Sequence, residues 1–147
     1  MKKFLLVIPV FFILSLAFAQ IPTPDAYRKA QSELAAKNYW EAIPLFKQFT
    51  DPKEYGNLAN YAAFHLGEAA LGANQPAQAV AALEPVVSGN WAKSEEAKYL
   101  LSVAYFKNQQ NIEALQLIKK IKDDQIMKMA ENATFENLKQ VSASFMI

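Results

Sequence analysis

The sequence predicts an all-α fold built as a stack of helical hairpins, and three observations carry that prediction. A helix-pair signature returns three times, as LAAKNYWEAIPLF (34–46), LGANQPAQAVAAL (71–83) and FKNQQNIEALQLI (106–118). Ala42, Ala79 and Ala114 stand at the same point of each copy, 37 and then 35 residues apart, which is the span of one hairpin in a stacked array. Apolar residues recur at helical spacing, and no stretch alternates with period two for long enough to suggest a sheet. Such an array is a surface for holding other molecules rather than a reaction vessel.

The elements follow in order. Thr23 and Pro24 read as cap and first residue of a helix running to about Lys37, with Tyr27, Ala30 and Leu34 on one face. Asn38 offers a turn, and a second helix is expected from Tyr39 to about Phe49, with a kink or late start at Pro44. Asp51, Pro52 and Glu54 form a start signal for a helix reaching about Leu71. Gly72 to Pro76 is a turn, and the next helix runs from Pro76 to about Val87 with Val80, Leu83 and Val87 inward. Ser88, Gly89 and Asn90 end that pair. The third pair covers about Trp91 to Lys107 and Asn111 to Lys122, the latter with Ile112, Leu115, Ile118 and Ile121 as its apolar stripe. Asp123 and Asp124 open one or two further helical segments reaching Ile147.

Residues 1–19 read as a secretory signal. Lys2 and Lys3 precede an apolar run from Phe4 to Leu16, and Ala17-Phe18-Ala19 supplies the small residues of a cleavage site before Gln20. The run falls short of the roughly 18–20 residues a spanning helix needs. Export to the periplasm or the extracellular space is the expectation, with no membrane span left after cleavage. The mature domain, 20–147, then has 128 residues (147 less 19), 13 basic (15 less Lys2 and Lys3) against 14 acidic, and no Cys. That charge balance argues against nucleic acid as a partner. Without disulfides, stability must come from the core alone.

The three copies resemble the tetratricopeptide repeat, a family of helix-turn-helix units. Leu66-Gly67, Ala79 and Leu83 match its pattern in the second copy. Leu101-Ser102, Tyr105, Ala114 and Ile118 match it in the third, and Ala30, Tyr39, Ala42 and Phe46 in the first. The spacing exceeds the family's repeat length, the closing Pro is missing or displaced, and Lys29 stands where Leu is usual. The resemblance implies a right-handed superhelical array of about three repeats (24–50, 52–88 and 91–122) followed by a C-terminal helical segment, 123–147. It also implies an exported bacterial member of the family, with the first helix of each pair lining a concave groove.

Carried over by register, the groove positions are Tyr27, Gln31 and Leu34, then Tyr61, Phe64, Glu68 and Leu71, then Glu96, Tyr99, Val103, Phe106 and Lys107. Aromatic side chains give large contact area at low entropic cost, so the groove is expected to take an extended peptide or a helix, with Tyr61, Phe64, Tyr99 and Phe106 as anchors. The opposing expectation is that some of these rings pack against neighbouring helices or a terminal helix folded into the groove. The clamp of Lys, Asn and Arg by which some family members hold carboxylates is absent.

No enzyme is expected, and no cofactor or metal. His65 has only Glu68 one turn away, which is too few ligands for a metal and reads as a partly exposed helical histidine. Asp123-Asp124 reads as a cap, and Asn132-Ala133-Thr134 as a chance glycosylation triplet. The leading functional expectation is an exported scaffold that binds a protein or peptide in envelope assembly or secretion. The alternatives are a docking module of a larger exported protein, ahead of a ligand-binding or wall-anchoring domain, and a self-assembling structural protein joined through its C-terminal helix.

Overall fold

The computed structural model describes residues 24–145, with side chains as far as Ala133 together with Glu136. The expected signal 1–19 and the Thr23 cap lie outside the described residues, as do the side chains of Thr134 and of the apolar end, 141–147. The described chain is all-α: eight helices, one 3-10 turn and no strand. The helices are α1 (Asp25–Ala35), α2 (Tyr39–Lys47), α3 (Pro52–Tyr55), α4 (Asn57–Gly72), α5 (Pro76–Leu83), α6 (Ser94–Lys107), α7 (Asn111–Ile118) and α8 (Asp124–Phe145).

Three pairs, α1–α2, α4–α5 and α6–α7, are joined by turns of one geometry. Lys37, Asn74 and Gln109 adopt φ of 61°, 58° and 63°, each five residues before one of the three alanines. In each turn the following residue's N–H closes a 2.8 Å bond to a carbonyl five residues back: Asn38 to Glu33, Gln75 to Ala70, and Gln110 to Tyr105. The left-handed residue itself bonds three back, to Leu34, Leu71 and Phe106. This is the Schellman ending, which satisfies the last carbonyls of the first helix and reverses the chain.

Each pair closes on a fully buried alanine, since Ala42, Ala79 and Ala114 are all 0% exposed. Close approach is the reason for small residues at the crossings. A Cβ added at Gly67 would come within 2.6 Å of the Leu83 side chain, and one at Gly72 within 2.5 Å of the Tyr39 ring. Three apolar cores result. The first joins Tyr27, Ala30, Ile43, Phe46 and Phe49 to Ala62, Leu66 and Ala69 of α4. The second joins Ala70, Val80 and Leu83 to Leu101 and Ala104 of α6. The third joins Phe106, Ala114, Ile118 and Ile121 to Ala130 of α8.

Several boundaries differ from expectation for identifiable reasons. The helix opened by Asp51 does not run through. Asp51 does cap it, accepting from the Lys53 N–H at 2.9 Å, but Gly56 at φ 54° and ψ −128° breaks it into α3 and α4. That conformation is open to glycine and costly for residues with a Cβ. The α5 helix stops at Leu83 because Pro85 has no N–H to donate, and a 3-10 turn (Glu84–Val86) follows. Val86 is buried in consequence, while Val87 is only half-buried. Pro44 brings no late start, since α2 begins at Tyr39. The third pair begins at Ser94 rather than Trp91, and α7 ends at Ile118. Its buried stripe is Ala114, Leu117 and Ile118, continued by Ile121 beyond the helix, whereas Ile112 and Leu115 are 70% and 49% exposed. Past Asp123 the chain forms one continuous helix, the simpler of the two expected outcomes. Asp123 caps it, its Oδ1 accepting from the N–H groups of Gln125 and Ile126 at 2.9 and 3.0 Å.

Candidate functional site

Of the residues expected on a groove, Tyr27, Phe64 and Phe106 are 3%, 4% and 9% exposed and belong to the chain's own packing. The expectation that they meet a partner is corrected. The Tyr27 ring stands edge-on to Phe46 and Phe49, both centroids at 5.5 Å. Burial, with the nearby charges of Tyr61 and Glu68, pushes its hydroxyl up to about 12. Phe106 lies in the third core. Gln31 and Lys107 are exposed, and Leu34, Tyr61, Glu68, Leu71, Glu96, Tyr99 and Val103 are half-buried.

One ring set against Phe64 is that of Trp91, a residue expected at the start of a helix. It sits in the loop before α6, its indole N–H donating to the Val86 carbonyl at 2.7 Å. Its ring is edge-on to Tyr61 at 5.2 Å and to Phe64 at 6.2 Å, and the Lys93 ammonium lies 5.2 Å from the Phe64 ring centroid. Tyr61, Phe64, Trp91 and Lys93 therefore form one patch with a partly exposed Trp, Tyr and cation. The sequence signal was a tryptophan beside the helix-breaking Ser88-Gly89-Asn90 run, too apolar for a free loop. Tyr99 is not part of this patch. It packs against the third core, as do Ile126 and Met127 of the first turn of α8.

His65 lies tilted against Phe46 and edge-on to Phe64, at 5.4 Å from each ring, and its Nδ1 lies 2.6 Å from a Glu68 carboxylate oxygen. This pair is a part-buried packing contact on α4.

Two clefts lie at equivalent positions of successive pairs. The first, of about 360 Å³, is lined by Ala59, Asn60, Ala63 and Ala82. The second, of about 750 Å³, has Ser94, Glu95, Lys98 and Leu117 at the positions 35 residues on. There the Glu95 carboxylate pairs with Lys98 at 2.6 Å and accepts from the Lys122 and Asp123 N–H groups at 2.6 and 3.2 Å. Lys98 first, then these backbone donors, hold its carboxyl below the usual range, against the opposing effect of burial. The start of α8 is thereby tied to the first turn of α6.

Tyr105 donates to Glu84 at 2.8 Å, and burial together with that carboxylate pushes its hydroxyl up to about 12. Among the described residues no helix is long and apolar enough to cross a membrane. No protein-family model, curated protein or solved structure matches this chain.

Proposed function

We propose that this chain is an exported, tetratricopeptide-type scaffold that binds another protein, with the Tyr61–Trp91 patch as its principal contact. The observation that carries the reading is the composition and placement of that patch. A half-buried Trp and Tyr, backed by a buried Phe and flanked by Lys93, form a rigid aromatic anchor of the kind that dominates protein interfaces. Equal register of the three buried alanines and of the three left-handed turn residues supports a hairpin-repeat scaffold. The partner is a peptide or helix with an apolar or aromatic side chain to set against Trp91, in envelope assembly or secretion. Gln31, Glu68 and Lys107 supply polar edges to the same series of first helices.

The test is site-specific photo-crosslinking in the native envelope, with the reactive residue at position 61 and, as control, at Glu41, which is exposed on α2. A species captured from position 61 alone is expected, and its yield should fall about tenfold or more when Trp91→Ala removes the anchor. Equal capture from both positions, or capture indifferent to Trp91→Ala in a chain that keeps its helical circular dichroism, overturns the proposal.

A further inference from the structure

The second helices of the first two pairs each carry one stripe that the next first helix covers. On α2 the stripe is Tyr39, Ile43 and Phe46. The Tyr39 ring lies against Gly72, the Phe46 ring 5.4 Å from that of His65, and Ile43 in a core with Ala62, Leu66 and Ala69. So α4 runs antiparallel along α2. On α5 the same positions are Pro76, Val80 and Leu83, with Val80 and Leu83 in one core with Leu101 and Ala104 of α6. Ile43 and Val80 are each 8% exposed. On α7 the stripe is Asn111, Leu115 and Ile118. Only Ile118 is covered, in a core with Ala130 of α8, while α8 packs mainly on α6. Asn111 is exposed and Leu115 is 49% exposed, with Ile112 beside it at 70%.

The two helices that do cover this stripe share one pattern: Ala62-x3-Leu66-x2-Ala69 on α4 and Ala97-x3-Leu101-x2-Ala104 on α6. The leucine and the second alanine share a core with the stripe residue in both cases, Leu66 and Ala69 with Ile43, and Leu101 and Ala104 with Val80, while Ala62 and Ala97 are fully buried. At the same spacing α8 offers Ile126, Ala130 and Ala133, with an alanine in place of the leucine. The face of α1 at that register is Asp25, Lys29 and Ser32, all exposed and polar, so a second copy stacked head to tail brings no apolar partner. We infer that the Leu115 face of α7, which continues the packing seam of the two preceding pairs, docks an amphipathic helix of a partner protein. That helix carries Ala-x3-Leu-x2-Ala and runs antiparallel to α7.

The probe is a fluorescent, hydrocarbon-stapled helical peptide bearing Ala-x3-Leu-x2-Ala on one face and Lys and Glu elsewhere. Its control has Asp in place of the Leu. The full chain carries a photo-crosslinker at position 112. The patterned peptide is expected to form an adduct at 112, and Leu115→Lys should weaken its binding about tenfold or more by removing one buried side-chain contact. Gln116→Lys, which adds the same charge at an exposed neighbour, should leave binding unchanged. The Trp91→Ala variant should also bind the peptide normally, which separates this face from the aromatic patch. Equal binding of peptide and Asp control, indifference to Leu115→Lys, or a crosslinked dimer of this chain in place of the peptide adduct overturns the inference. Leu115 is half exposed, so thermal melts of Leu115→Lys matching the parent establish that any loss comes from the face and not from unfolding.

Discussion

The junctions between α2 and α4 and between α5 and α6 are closed by small and apolar side chains alone, whereas the junction of α8 with α6 adds a charged tie to its apolar core. At the first two, Ile43 and Val80 are buried under helices that present alanine and leucine. At the third, Glu95 receives two backbone N–H groups from the start of α8, and Leu115, in register with Ile43 and Val80, stays half exposed. Apolar closure is non-directional and grows with area removed from water. A carboxylate held by exposed donors is worth less and depends on pH and salt. The difference teaches that one stripe position can be core or surface according to the helix that follows it.

The comparison breaks most severely at the closed junctions. Leu83→Ala or Ile43→Ala should cost about 2–5 kcal/mol in denaturant melts, because each leaves a cavity among rigid neighbours. A loss below about 1 kcal/mol at either would mean that the junction is loosely packed. The charged junction is next. Glu95 has a folded pKa below its unfolded one. Its contribution is present above the unfolded value and lost as pH falls through the folded value. Glu95→Gln should therefore lower stability by about 1 kcal/mol or less at pH 7. The gap between variant and parent melts should close as pH falls through the folded value, and a gap that persists once the carboxyl is protonated would place the effect in packing.

Smaller effects sharpen the contrast. Lys37→Gly and Gln109→Gly should each stabilise by about 0.5 kcal/mol, since glycine relieves the left-handed strain but loses more chain entropy on folding. Asn74→Gly should gain less, because asparagine tolerates that conformation. Thermal melts of the three variants would rank them. Leu115→Ala, in the absence of a partner, should change stability by less than about 0.5 kcal/mol. Set beside the cost of Ile43→Ala, that small change is the direct measure of whether register position or the next helix decides the energy.

Much of the helix content was legible in the sequence because each pair carries strong local signals: Pro52 and Pro76 at helix starts, the Asp51 cap, and alanines at a fixed spacing. The α7 stripe was not. In a helix of eight residues, Ile112 and Leu115 make as good a periodic face as Ala114 and Leu117, and periodicity alone does not say which side has a neighbour. The left-handed turns were hidden because Lys37 and Gln109 are not residues that announce that conformation. Register places Tyr27, Phe64 and Phe106 on a groove, yet an aromatic ring near a helix crossing also fills that crossing well. The three rings are buried by their neighbours.

By itself the sequence determined the helical class, the hairpin spacing and the three alanines that close each pair. Those properties follow from backbone propensity and from apolar residues repeating over a few turns of one helix. Tertiary structure alone decided that Trp91 folds onto Tyr61 and Phe64, that α8 turns onto α6, and that Leu115 is left without the cover given to Ile43 and Val80. Each of these depends on contacts between segments distant along the chain. A side chain's burial there is set by which other surface arrives, and no local pattern encodes that arrival.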